Sequence, residues 1–207
     1  MRGILLAAAV VTAALGMPAQ AADVVEAWSG VKLPPAPQLK DVTIDPKTTA
    51  LLVLDIIKPV CNAERYPRCP ATIPVVKRLL TEARAKGMMV IYTTILNVPK
   101  TVIYEDVAPA DGDPVVPGVL DKFLHTDLEK ILKAKGITTV LMVGTVAQGA
   151  VIMTGSQAAE LGFSVIVPVD GISGNFAFPE AYAVWHLANA PIVAPKVTLT
   201  RSTMIKF

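Results

Sequence analysis

Two stretches of this chain hold the residue types from which a catalytic site could be built. Asp55 follows the apolar run Leu51-Leu52-Val53-Leu54, so its carboxylate should stand at the carboxyl edge of a buried strand. The segment VLMVGTVAQGAVIMTG runs from a second apolar strand through Gly144 into a helix start, and Ala150 falls in the first turn above that strand's end. Ligands of open α/β sheets bind at such ends. A helix start lowers a thiol's pKa and offers N–H groups to an oxyanion, which suits a cysteine nucleophile at position 150. Alanine carries no such atom.

The two cysteines, Cys61 and Cys69, enclose NAERYPR. Three readings are open: a disulfide, two free thiols, or Cys61 as a relocated nucleophile six residues beyond Asp55. A disulfide is the simplest in an exported protein. Closing so short a loop stabilises a fold by about 2.5 kcal/mol on the chain-entropy estimate. Asp55 has a structural reading too, as a turn cap or a partner of Lys58.

A metal site is poorly supported. Cys61, Cys69, His125 and His186 lack the short paired spacings of zinc ligands. Both histidines read as packing or capping residues, and the hydroxyls of Thr145, Thr154 and Ser156 have no histidine suitably placed by sequence to act as a base. No cofactor is expected.

These residues need a frame. Met1-Arg2, the apolar stretch Ile4 to Leu15 and Ala19-Gln20-Ala21 read as a secretory signal over residues 1–21, too short for a membrane span. A Pro-rich arm follows over residues 22–47, read as wrapping the domain or a neighbouring subunit, and one domain over 48–207. The expected location is periplasmic or secreted, with no membrane span after cleavage. Mean hydropathy is +0.53 and net charge only +2, with dispersed basic residues, so a nucleic-acid partner is not indicated.

Strand and helix patterns then alternate. Strands are expected at Thr49–Ile57, Met88–Ile95, Thr138–Val143, Ser164–Val169 and Val197–Thr200. Helices are expected at Pro74–Lys86, Asp127–Lys135 behind a Thr126/Glu129 capping box, about Gly149–Leu161, and Glu180–Asn189. Asn97 to Leu120 reads as a structureless functional loop or lid. The alternation implies a parallel sheet covered on both faces.

The strand LLVLD, the turn GTVAQGAV and the run FLHTDLEKILKAKGITTVLMVG together resemble the isochorismatase-like cysteine hydrolases, from about Thr48 to the C-terminus. The resemblance implies a three-layer α/β/α fold with a six-stranded parallel sheet and an aspartate, lysine and cysteine triad. Asp55 matches the aspartate, the general base. Counting from Gly144 puts Ala150 at the cysteine, and counting back from Phe123 puts Pro117 at the lysine, with Lys122 out of register. The family's oxyanion-hole cis peptide maps onto Thr145-Val146, making Thr145, Val146, Ala147, Gln148 and Gly149 candidate binding residues. The family's metal-binding branch needs an aspartate and two histidines after the second strand, where this chain has TTILNVPKTVIYED.

The resulting expectation is an exported protein of hydrolase ancestry, with its cysteine replaced by alanine, that binds a small molecule or a partner without cysteine-dependent hydrolysis. One alternative is an active hydrolase of a small amide or enol ether using Cys61, or Asp55 with water. Another is a structural homo-oligomer subunit.

Overall fold

The computed structural model describes residues 23–207; the expected signal segment lies outside the described residues. The chain divides into two units at Pro35. In the first, residues 23–35 make a turn closed by Ala27 N–H donating to Asp23 C=O at 3.0 Å, and a short 3-10 helix at Trp28–Gly30.

The second unit, Ala36–Phe207, is built on nine strands and four α-helices. In chain order the strands are β1 (Val42–Thr43), β2 (Thr49–Leu54), β3 (Met89–Ile95), β4 (Val115–Gly118), β5 (Thr139–Thr145), β6 (Ser164–Pro168), β7 (Ile172–Ser173), β8 (Val197–Thr200) and β9 (Ile205–Lys206). The helices are α1 (Ile73–Ala85), α2 (Leu128–Ala134), α3 (Ile152–Glu160) and α4 (Ala177–Asn189). The main sheet runs β4-β3-β2-β5-β6-β8, parallel throughout, and β7 pairs with β5 beyond the point where β6 leaves it. It therefore has seven strands, not the six that were expected.

Two of these strands, β4 and β7, have no counterpart among the five that apolar patterning indicates. β4 is a four-residue strand at the sheet's edge that contains Pro117, where a missing N–H is tolerated. β7 has only two residues. The segment after β3 is accordingly not structureless: it holds two 3-10 turns, Lys100–Val102 and Glu105–Val107, before β4. The proposed capping box does not form. Thr126 Oγ1 accepts from Leu128 N–H at 3.2 Å and donates to Lys122 C=O, while Glu129 pairs with Lys133.

The central strands β2 and β5 are buried on both faces, as their unbroken apolar runs require. One face packs Leu52, Leu54 and Met142 against Leu128 and Leu132 of α2, Ala158 of α3 and Leu187 of α4. The other packs Leu51, Val53 and Leu141 against Val76, Leu79, Leu80 and Ala83 of α1, whose spacing makes one helical stripe. Strand order reverses between β2 and β5: the chain first winds outward through β3 and β4, then crosses to β5 and winds the other way. A topological switch point of this kind opens the crevice in which α/β proteins hold ligands.

Candidate functional site

Asp55 and the Gly144–Ala150 turn stand at that switch point, at the carboxyl ends of β2 and β5. The two strands meet at Leu54 and Gly144. Gly144 has φ of 126°, and a Cβ there would overlap the Leu54 carbonyl oxygen, so only glycine permits this approach. Asp55 leaves β2 with φ of 51°, a left-handed conformation that aspartate tolerates better than most residues.

The Asp55 carboxylate is buried and held from two sides. Its Oδ2 lies 2.8 Å from Lys122 Nζ, and its Oδ1 accepts from Thr93 Oγ1 at 2.8 Å. Lys122 is fully buried, and its ammonium also donates to Thr94 C=O at 3.2 Å. Burial pushes the Asp55 carboxyl above its ordinary value, and the Lys122 charge and Thr93 hydrogen bond offset part of that shift.

The segment carrying Lys122 is pinned by backbone-directed hydroxyls. Thr154 Oγ1, on α3, accepts from Lys122 N–H and donates to Leu120 C=O, both at 3.2 Å. Phe123, next in sequence, packs into the core and stacks on Phe163 with centroids 6.0 Å apart.

The count back to Pro117 is thereby corrected. Pro117 is exposed on edge strand β4, opposite Thr94, and Lys122 is the lysine beside Asp55. β4 and the bend after it place Lys122, not Pro117, beside Asp55. The sequence alone does not reach Thr93 and Thr94, and it gives Thr154 only as a hydroxyl without a base, not as the anchor of Lys122. The signal available was their place at the end of β3 and on the helix after the turn.

On the other wall, the Thr145–Val146 peptide is cis, at the bond to which the resemblance pointed. A single π-helical turn, Ala147–Val151, leads into α3, with Gly149 N–H donating to Val146 C=O at 3.0 Å. Ala150 is buried in this turn. Thr145 Oγ1 donates to Ser173 C=O on β7 at 3.1 Å, so its hydroxyl is engaged structurally. Gln148 Oε1 is buried without a protein partner and lies beside Gly174.

Cys61 and Cys69 form a disulfide, with an S–S length of 2.02 Å. This corrects the reading of the chain as one whose cysteine has been exchanged for alanine at position 150. Both cysteines are present and covalently paired, so the chain has no free thiol, and Cys61 is not available as a relocated nucleophile. Within the disulfide loop, Arg68 forms a two-pronged pair with Glu180 of α4 at 2.7 and 2.8 Å. Lys58 pairs with Glu105 rather than with Asp55. His125 is exposed, and His186 Nε2 lies 3.1 Å from Ser156 Oγ. Among the described residues, no group of three His, Cys, Asp or Glu side chains is placed to hold a metal ion, and no helix is long and apolar enough to cross a membrane.

This switch-point site on a parallel sheet, with a buried aspartate and lysine facing a cis-peptide turn, defines a class of α/β hydrolase-like protein. Residues 49–199 match the isochorismatase domain, and the chain belongs to the isochorismatase family. It is similar to streptothricin hydrolase of Streptomyces noursei, with 27% identity over 165 residues covering 74% of this chain and 56% of that one. It is also similar to N-carbamoylsarcosine amidase of an Arthrobacter species, with 30% identity over 134 residues covering 51% of each chain. The chain thus spans about half the length of these curated relatives.

Among solved structures, it shares its fold with a cysteine hydrolase from Pseudomonas syringae pv. phaseolicola 1448A, with a TM-score of 0.68 and 21% identity covering 81% of this chain and 94% of that one. An isochorismatase-like hydrolase from Alkaliphilus metalliredigens gives a TM-score of 0.67 and 20% identity, covering 75% and 95%.

Proposed function

We propose that this protein is an exported member of the family that binds a small amide-like molecule at the Asp55–Lys122 site without thiol-dependent hydrolysis. The observation that carries the reading is the Cys61–Cys69 disulfide, which leaves a family site without a free cysteine. Asp55 and Lys122 are then polar anchors, and the turn at Thr145–Gly149 supplies hydrogen-bond donors to a carbonyl. The ligand class is suggested by the relatives, one of which is named as an amidase. Export is supported by the N-terminal signal pattern and by a disulfide that persists in an oxidising compartment.

The test pairs binding with turnover. N-carbamoylsarcosine and simple primary amides are screened by thermal shift against the unreduced protein, and product formation is followed with and without iodoacetamide. A ligand-dependent rise in melting temperature that Lys122→Met abolishes, with no alkylation-sensitive turnover, is expected. Turnover that iodoacetamide stops, or no shift with any amide, overturns the proposal.

A further inference from the structure

We propose that the outward face of α4, with the neighbouring start of α3 and Leu120, is an interface between two copies of this chain. Helix α4 is apolar on two sides. Pro179, Ala183 and Leu187 are buried in the core, whereas Phe178, Tyr182 and Trp185, spaced as one stripe, face outward.

The stripe continues into its surroundings. The Ser156–His186 contact sets α3 beside α4, and exposed Met153 lies one turn before Ser156 as Tyr182 lies one turn before His186. Leu120 lies over Gly149 at the start of α3, and Phe176 adjoins the start of α4. These six large side chains are each 43–55% exposed. At 150–250 Å² for a large side chain, they present on the order of 600 Å² of apolar surface. That is at the top of what a monomer commonly leaves uncovered. It also approaches the roughly 800 Å² that each partner contributes to a standard interface.

Charge argues for a second copy rather than a different partner. The exposed positions of α4 are Ala177, Phe178, Ala181, Tyr182, Trp185 and Asn189, none charged, and its one carboxylate, Glu180, is engaged by Arg68. Two such faces meet without like-charge repulsion, and an uncharged face offers an acidic or basic partner nothing to pair with. A patch that is the same on both subunits suits a two-fold axis, and tyrosine and tryptophan are the residues such centres favour. The segment containing Leu120 also carries Lys122, so the interface braces the element that holds the buried ammonium.

Sedimentation velocity of the full mature chain tests this. Two-copy mass is expected at micromolar concentration, with Tyr182→Glu and Trp185→Glu weakening dissociation constants at least about 30-fold and Trp185→Phe leaving the dimer intact. Should a glutamate variant misfold, hydroxyl-radical footprinting of the unchanged protein decides: Tyr182 and Trp185 become reactive on dilution. A monomer at all concentrations, a dimer insensitive to both glutamates, footprints that do not change on dilution, or a monomer that binds phosphatidylcholine vesicles through this face overturns the proposal.

Discussion

Asp55 Oδ2 and Lys122 Nζ form an ion pair of 2.8 Å between a strand end and a bend 67 residues later in the chain, with both side chains essentially out of water. Two charges withdrawn from solvent are tolerated only when they face each other and their remaining hydrogen-bonding capacity is met. Thr93 meets it for the carboxylate, and the Thr94 carbonyl for the ammonium.

Removing one partner therefore costs far more than removing both. Lys122→Met, which leaves a buried carboxylate, is expected to destabilise the fold by about 3–5 kcal/mol. Asp55→Asn keeps a side chain suited to the left-handed backbone and should fall in a similar range. The double variant is expected to lose much less than the sum, measured by urea unfolding as a double-mutant cycle. Additive losses would mean that the pair is not coupled.

Thr154 acts on the site through the bend that carries Lys122. Thr154→Val removes one hydroxyl and strands two backbone groups, Lys122 N–H and Leu120 C=O, so a loss of roughly 1–3 kcal/mol is expected. Thr154→Ser should recover most of it. A valine variant as stable as the unchanged protein would show that the bend is held by other contacts.

Much of this architecture is legible in local sequence because the central strands are long, apolar and buried on both faces. Asp55 is legible for the same reason: it is the first charge after such a run. Lys122 is not, since its place depends on one α3 hydroxyl, that of Thr154, which makes two hydrogen bonds to the bend, and on a short edge strand whose proline disguises it. β7 escapes notice because two residues show no periodicity. The close cysteine spacing points to a disulfide, yet not to the Arg68–Glu180 pair that ties its loop to α4.

Ellman titration of the denatured, unreduced protein should find no free thiol. Replacing both cysteines by serine should cost about 2.5 kcal/mol from chain entropy alone. A second expected effect is weaker fixation of the Arg68–Glu180 pair, read as faster amide exchange at the start of α4. Unchanged stability and exchange would show that the loop holds its shape without the bond.

Tyr92 gives the pH dependence a definite sign. Burial is the main cause that pushes its phenol from 10.0 up to about 12, partly offset by the nearby Arg84 guanidinium. Its hydroxyl donates to Ala108 C=O at 3.2 Å and accepts from Arg84 at 2.9 Å, and Arg84 also pairs with Asp113, so this cluster ties the loop before β4 to α1 and β3. The unfolded chain releases the tyrosine proton near pH 10, two units before the folded chain. Between those values the folded state binds more protons, so stability falls as pH rises, by up to roughly 2–3 kcal/mol across the interval. Urea unfolding at stepped alkaline pH should show this decline, and Tyr92→Phe should flatten it while lowering stability at neutral pH through the lost hydrogen bonds. A variant with the same alkaline slope as the unchanged protein would assign the decline to other groups.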